Sequence, residues 1–548
     1  MLARLIEAWT DSVSERAYQA PFCQMLVHQG HRILHNTRHS ALEFGKDIVS
    51  VDPNGVPCAY QLKGHPGRRL TKSDYAASLT QIHELVYQPI LYPGVPQTRH
   101  RAYLVTNGEV EEEVQVAVSS LSQNLGLNVA ASSLELISRG TFIRWGVDLA
   151  EGLWPTGMAD LTVLFSLLAK SGLGSVPLEQ LDQMLRSTLG LTEESVQKTP
   201  SDAEIERRIA SASLLVPVAL RNFSLRENHW AIATGWCMYA AYAVSAAERF
   251  GLQSKRLEQF VDIAERAAAD ALRVFAREIV SRGKVGPVSF AEVAYFRTRH
   301  TLLCSIVALV WFFDQQGEAE DELARDIEGY LREHGDEIEL WGEAAIPQIL
   351  MVIWCLAEID PTPRSDGILA SLLNAAVTRS INPSSAALYG VHYDAETVLT
   401  HVHADILRPA SDPLEGEDTH PPSSFAEALL QIAARRNLKR TCKAIWNKYS
   451  HLQLRRFEPP ERWQTCLYRT EKGAEFVYRP PKRESWPHLV EQAHGPAKDL
   501  LDEFQERPIL LAMFALIFPH RATTGVIRIL ADNFHSSWAL GGGRLTRR

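Results

Sequence analysis

Between Glu43 and His65 the chain reads EFGKDIVSVDPNGVPCAYQLKGH, and this stretch constrains the fold more than any other. Two short apolar runs, Ile48 to Val51 and Cys58 to Leu62, flank the turn-rich Asp52-Pro53-Asn54-Gly55, so a β-hairpin is expected. Its polar residues stand where a soluble hairpin does not need them. Asp47 opens the first strand, and Gln61 and Lys63 end the second. Strand side chains alternate with period two, which puts Gln61 and Lys63 on one face and Leu62 on the other. A carboxylate, an amide oxygen and an ammonium on one patch suit a hydrated divalent cation with a water beside it. Mg²⁺ takes hard oxygen ligands in octahedral geometry, and a lysine can position or activate the attacking water. The bland alternative is a solvated hairpin with incidental charges.

Register decides whether Asp47 belongs to that patch. A one-residue slip sends every side chain of a strand to the opposite face. Asp47 joins Lys63 only if it lies opposite Gln61 or Lys63; opposite Leu62 it would turn away. Only a β-bulge near Gly45 or Pro57 would rescue that second arrangement.

The combination of Asp47, Gln61-Leu62-Lys63 and the preceding Gly45 resembles the PD-(D/E)xK nuclease superfamily, in its Mrr-like variant with a QxK motif. The resemblance implies a restriction-endonuclease-like fold. It also implies a catalytic set in which Asp47 and Gln61 hold Mg²⁺, with Mn²⁺ able to substitute, the Leu62 carbonyl is a further ligand, and Lys63 orients the water. Such enzymes place an acid on the first helix; Glu15 is the choice made here, with Gln19 and Glu43 as competitors. DNA is the favoured substrate, and RNA is not separated from it by any residue. The resemblance further implies a regulated effector of prokaryotic defence or restriction. Arg68, Arg69 and Lys72, directly after the proposed catalytic strand, are expected to meet the phosphate backbone. Two other classes stay open: a degenerate nuclease fold retained as a DNA-binding or docking subunit, and a helical assembly subunit without chemistry.

The surrounding pattern fits an α/β unit. Residues 14 to 29 are predicted to form a helix ended by Gly30, with Ala17, Phe22, Met25 and Leu26 inward. A helix over Lys72 to Tyr87, a strand over His100 to Thr106 ending at Asn107-Gly108, a helix over Glu111 to Leu125 and a strand over Leu134 to Ile137 follow. That order requires at least one parallel crossover, and it is the order expected of the nuclease core. His28, His31, His35 and His39 recur at helical spacing, but Gly30 breaks the face a metal would need.

The chain has 548 residues, too many for one core, and expected domains are 1–152 (nuclease-like), 153–408 (helical, regulatory or assembly) and 425–548 (C-terminal, mostly helical). The expected class is therefore an α/β N-terminal domain followed by a large, mostly α-helical region. From Gly152 on, long apolar-faced helices dominate, and they are expected to carry homo-oligomer or partner-protein contacts. His401-Val402-His403-Ala404-Asp405 is similar to a metal-binding H-x-H-x-D sequence, but Ile406 takes the last ligand position. Arg435 to Arg456 is basic without an acid. Arg436, Arg440 and Lys443 are expected on one helical face as a second nucleic-acid surface, a solvated face or a dock for the acidic segment 317–343. Cys466 to Tyr478 is expected to form a small hairpin. Net charge of −9 excludes a general nucleic-acid sponge and requires local basic patches. Seven scattered cysteines without a CxxC pair point to reduced core thiols and a cytoplasmic protein, and no apolar run reaches membrane-spanning length.

Overall fold

A computed structural model describes residues 2–36, 45–150, 158–192, 200–252, 255–283, 293–316, 321–360, 364–379, 390–391, 422–470, 476–480, 485–495 and 500–534. The chain divides into two compact units, Met1–Ala268 and Ala269–Arg548.

The first unit begins with α1 (Leu2–Thr10) and α2 (Glu15–His28), then β1 (Arg32–His35), β2 (Ile48–Val51), β3 (Pro57–Lys63) and the short β4 (Arg69–Leu70). Next come α3 (Lys72–Ala77), α4 (Leu79–Tyr87), β5 (His100–Thr106), the short β6 (Glu109–Val110), α5 (Glu112–Gln123), β7 (Ala131–Ile137) and α6 (Arg139–Ala150). Five strands form one mixed sheet in the order β1-β2-β3-β5-β7. The first two pairings are antiparallel and the last two parallel. The helices α3–α4 and α5 supply the two crossovers that parallel pairing demands.

Period-two alternation sorts the sheet into two faces. Val49, Ala59, Ala102, Leu104 and Leu134 pack with Ile82, Leu85 and Val86 of α4 and Val114 and Val118 of α5. On the opposite face Tyr60 meets Phe22 of α2 edge-on, with ring centroids 5.6 Å apart, and stacks on Tyr103 at 4.9 Å. Because Ala59 faces α4, Gln61 and Lys63 face it too, while Leu62 looks toward α2.

Two local expectations change. The helix expected over residues 72–87 is two helices. Thr71 and Asp74 close a capping box at the start of α3, and the Ser78 hydroxyl donates to the Asp74 carbonyl at 2.9 Å where α3 stops. The histidine-rich stretch after Gly30 contains β1, which sequence reading did not anticipate. Its outer edge is covered rather than bare, since the Ile33 amide donates to Gln259 Oε1 at 2.8 Å.

The first unit runs past the change of texture at residue 152. It includes α7 (Met158–Leu168), α8 (Leu178–Leu189), α9 (Asp202–Ala219), α10 (Arg221–Leu225), α11 (His229–Phe250) and part of α12 (Lys255–Arg282). Helix α9 packs on α1, α2 and α6, so the α/β layer and these helices share one body.

The second unit is mostly helical. It holds α13 (Val293–Gln316), α14 (Asp321–His334), α15 (Ala345–Ile359), α16 (Arg364–Arg379) and further helices over Ala426–Arg435, Lys439–Tyr449, Trp486–His494, Pro508–Ile517 and Thr524–Phe534. Phe476–Arg479 pairs antiparallel with Leu454–Phe457 and Arg462–Cys466 is a 3-10 turn, while the turn of the small hairpin expected over Cys466 to Tyr478 lies outside the described residues. At the end of the acidic segment Glu343 is buried and accepts from the Ser423 hydroxyl at 2.6 Å. All seven cysteines are buried thiols outside any disulfide. Among the described residues no helix is long and apolar enough to cross a membrane.

Candidate functional site

The site is built where the hairpin ladder gives out. Strands β2 and β3 pair as Ile48↔Tyr60, Val49↔Ala59, Ser50↔Cys58 and Val51↔Pro57. The ladder stops there, and Asp47 lies just beyond it, its amide donating to the Tyr60 carbonyl at 2.8 Å. The five-residue turn is held by Asp52, whose Oδ1 accepts from Asn54 N at 2.9 Å and Val56 N at 2.8 Å.

Beyond Ile48 the chain of β2 turns away, and side chains take over the end of β3. Three successive main-chain amides are each received by a side chain. Leu62 N donates to Asp47 Oδ2 at 2.5 Å, Lys63 N to the Tyr18 hydroxyl at 3.1 Å, and Gly64 N to Glu15 Oε2 at 2.8 Å. The Tyr18 hydroxyl also donates to the Lys63 carbonyl at 3.2 Å. Gln61 Nε2 adds a bond to Asp47 Oδ2 at 2.6 Å. Asp47, Gln61, Lys63 and Glu15 are thereby gathered around the end of one strand. Gln19 is not among them, since its amide donates to the Asn36 carbonyl at 3.2 Å. Glu43 and His39 lie outside the described residues.

Two glycines permit the geometry. Gly45 has φ of +70°, and a Cβ there would stand 2.4 Å from the Gln81 carbonyl oxygen in α4. Gly64 lets α2 approach, because its Cβ would lie 3.0 Å from both the Cβ and the amide nitrogen of Glu15. Gly45→Ala is expected to cost about 1–2 kcal/mol from the left-handed backbone alone, with the clash added. Urea denaturation checks this, and a loss below that range would mean that the 45–47 segment has another conformation.

Sequence reasoning missed Tyr18, Gln81, Lys46 and Asn107. Tyr18 is fully buried; burial, with the Glu15 charge adding, holds its phenol well above its ordinary pKa, so it stays a donor. Gln81 accepts from Lys63 Nζ through Oε1 at 2.6 Å and so orients the ammonium. Lys46 is buried beside Asp47 and donates to the Glu84 carbonyl at 3.3 Å; burial pushes its ammonium down to about 8. Asn107, the middle residue of Thr106-Asn107-Gly108, accepts from His65 N at 2.8 Å and donates to the Thr10 and Val13 carbonyls at 2.9 Å each. It ties the turn before Glu15 to the strand ends. No local signal marks these contacts, because their partners are distant in sequence.

Tyr18→Phe keeps the ring and removes the hydroxyl that bonds the Lys63 amide and carbonyl. It is expected to cost about 1–3 kcal/mol in denaturant unfolding. A neutral result would mean that those groups find other partners.

The donor set fits a hard cation. Asp47 offers a carboxylate, Leu62 a main-chain carbonyl and Gln61 a carboxamide whose Oε1 is buried without a hydrogen-bond partner. Among the described residues no three His, Cys, Asp or Glu side chains gather as a metal centre, so any cation here would rely on the amide and the main chain. His31 bonds Ser50 Oγ at 3.0 Å and His35 packs on Tyr92, which disperses the histidine run. His401, His403 and Asp405 lie outside the described residues.

Arg68, Arg69 and Lys72 are exposed on the segment that leaves β3. The second basic surface is smaller than expected. Arg436 is not on the helix that carries Arg440 and Lys443: it caps the preceding one, and Asn437 with φ of +56° breaks the chain between them. Arg436 pairs with Asp366 at 2.9 Å, Arg435 forks onto Asp532, and Arg456 pairs with Glu427 through Nε at 2.8 Å. Arg455 lies over the Phe476 ring at 3.6 Å. Lys439, Arg440 and Lys443 remain exposed.

Comparison with protein-family models, with curated proteins and with solved structures finds no match to this chain.

Proposed function

We propose that the chain is a Mg²⁺-dependent endonuclease of the PD-(D/E)xK kind, cleaving phosphodiester bonds with DNA as the favoured substrate. The observation that carries this reading is the gathering of Asp47, Gln61, Lys63 and Glu15 at the end of β3, where Asp47 bonds Gln61 and the Leu62 amide and Glu15 bonds the Gly64 amide. The order around that site, a helix, three antiparallel strands, a helical crossover, a strand, a helix and a strand, supports it.

In this reading Asp47, Gln61 and the Leu62 carbonyl hold the cation. A bound divalent cation supplies charge stabilisation at the scissile phosphate and a more acidic water. Lys63, steadied by Gln81, would present its ammonium to the attacking water or to a phosphate oxygen. Glu15 holds Gly64 and keeps the strand end fixed against α2. Arg68, Arg69 and Lys72 offer positive charge for the backbone on either side of the cleaved bond. The mostly helical remainder, which gives such an enzyme room for regulation, is the natural place for a trigger, a partner or a second copy, in keeping with a role in prokaryotic defence or restriction.

A second reading has an observation in its favour. Asp47 and Glu15 both satisfy main-chain amides of β3, a structural duty that a degenerate nuclease fold, kept for DNA binding or docking, would also need. Mg²⁺-dependent cleavage of plasmid DNA, lost in Lys63→Ala, separates the two.

A further inference from the structure

The two ends of the Gln61 carboxamide are distinguished by what surrounds them. Nε2 lies 2.6 Å from Asp47 Oδ2 and 3.3 Å from the Leu62 carbonyl. Both neighbours are acceptors, so the NH₂ end belongs there. The oxygen end is left buried without a partner, on a residue that is 3 % exposed. Buried amide oxygens are seldom left so in folded proteins, and leaving one costs free energy.

Reversing the amide would bring a third oxygen beside Asp47 Oδ2 and the Leu62 carbonyl. Three oxygens with no proton between them repel, and a cation among them turns that repulsion into ligation. The NH₂ end in the observed arrangement therefore does the charge-compensating work that a cation would do in the reversed one.

We propose that Gln61 sets the cation affinity of this site by exchanging its two ends, the NH₂ end closing the site and the oxygen end joining Asp47 and Leu62 around a divalent cation. The proposal rests on the reading of these residues as cation ligands. It gives Gln61 a role that a carboxylate cannot fill. A glutamate would stand against Asp47 with like charge, and one of the two would have to repel or take up a proton. Loading the site costs Gln61 both of its hydrogen bonds, so the cation is held more weakly than between two carboxylates, and occupancy depends on how much Mg²⁺ is present.

Thermal unfolding of the full chain tests this, comparing the unaltered protein with Gln61→Glu and Gln61→Met in EDTA and across a Mg²⁺ titration. In EDTA, Gln61→Glu is expected to unfold at a lower temperature than the unaltered protein. Mg²⁺ should then raise its Tm by more, with half the effect reached at a concentration about tenfold lower. Gln61→Met, which can neither donate nor ligate, should show no Mg²⁺ response. An equal Mg²⁺ response in all three proteins overturns the proposal and leaves a cation site elsewhere. So does a Gln61→Glu protein with the unaltered protein's stability in EDTA and the same Mg²⁺ dependence. No Mg²⁺ response in any of them removes the cation reading itself. Should Gln61→Met fail to fold, the glutamate comparison still decides.

Discussion

Asn107→Ala should lower the stability of the first unit by about 3 kcal/mol or more, since it leaves the Thr10 and Val13 carbonyls and the His65 amide without their partner, each at about 1–3 kcal/mol. Asn107 is fully buried, so water cannot replace what is lost. Asn107→Asp should do no better: it keeps an acceptor for His65 N but sets a charged oxygen against two carbonyls. The same bonds hold the turn that precedes Glu15, so cleavage should fall along with stability. Urea denaturation of the variants measures the effect. A loss under about 1 kcal/mol would mean that the α1–α2 turn is anchored by other contacts.

Lys63→Ala should remove about 10²- to 10⁴-fold of the cleavage rate, the usual worth of a positioned proton-transfer or charge-stabilising group. Lysine is not a cation ligand in this account, so the Mg²⁺-induced rise in Tm should survive the substitution. Gln81→Ala should act in the same direction and more weakly, because it frees the ammonium without removing it. A single-turnover assay separates these effects from substrate binding. Cleavage by Lys63→Ala at the unaltered rate would move the chemistry away from β3.

The hairpin was legible in the sequence because its information is local. Asp52 to Gly55 sets the turn, and the alternation from Cys58 to Lys63 sets the faces, so the position of Asp47 reduced to a question of register. Strand β5 was legible for the same reason, an apolar run closed by Asn107-Gly108. What stayed hidden depends on groups far apart in the chain. Tyr18 reads as one more inward aromatic of an amphipathic helix, and periodicity says that a ring is buried without saying what its hydroxyl meets. Strand β1 is short and polar, and it persists because β2 pairs with it and Gln259 covers its edge. The basic run misled through the same blindness. A count of charges sees Arg435 and Arg436, and their partners Asp532 and Asp366 enter from distant helices. The break at Asn437 then divides what looked like one basic face.

Asp47, Gln61 and Lys63 are proposed to form a cation-dependent cleavage site. Its most direct measurement is conversion of supercoiled plasmid by the purified full-length chain, in Mg²⁺ and in EDTA, with Asp47→Ala alongside. The account predicts nicked or linear product in Mg²⁺, none in EDTA, and none from Asp47→Ala in either. Cleavage that persists in EDTA, or in Asp47→Ala at the unaltered rate, would contradict it.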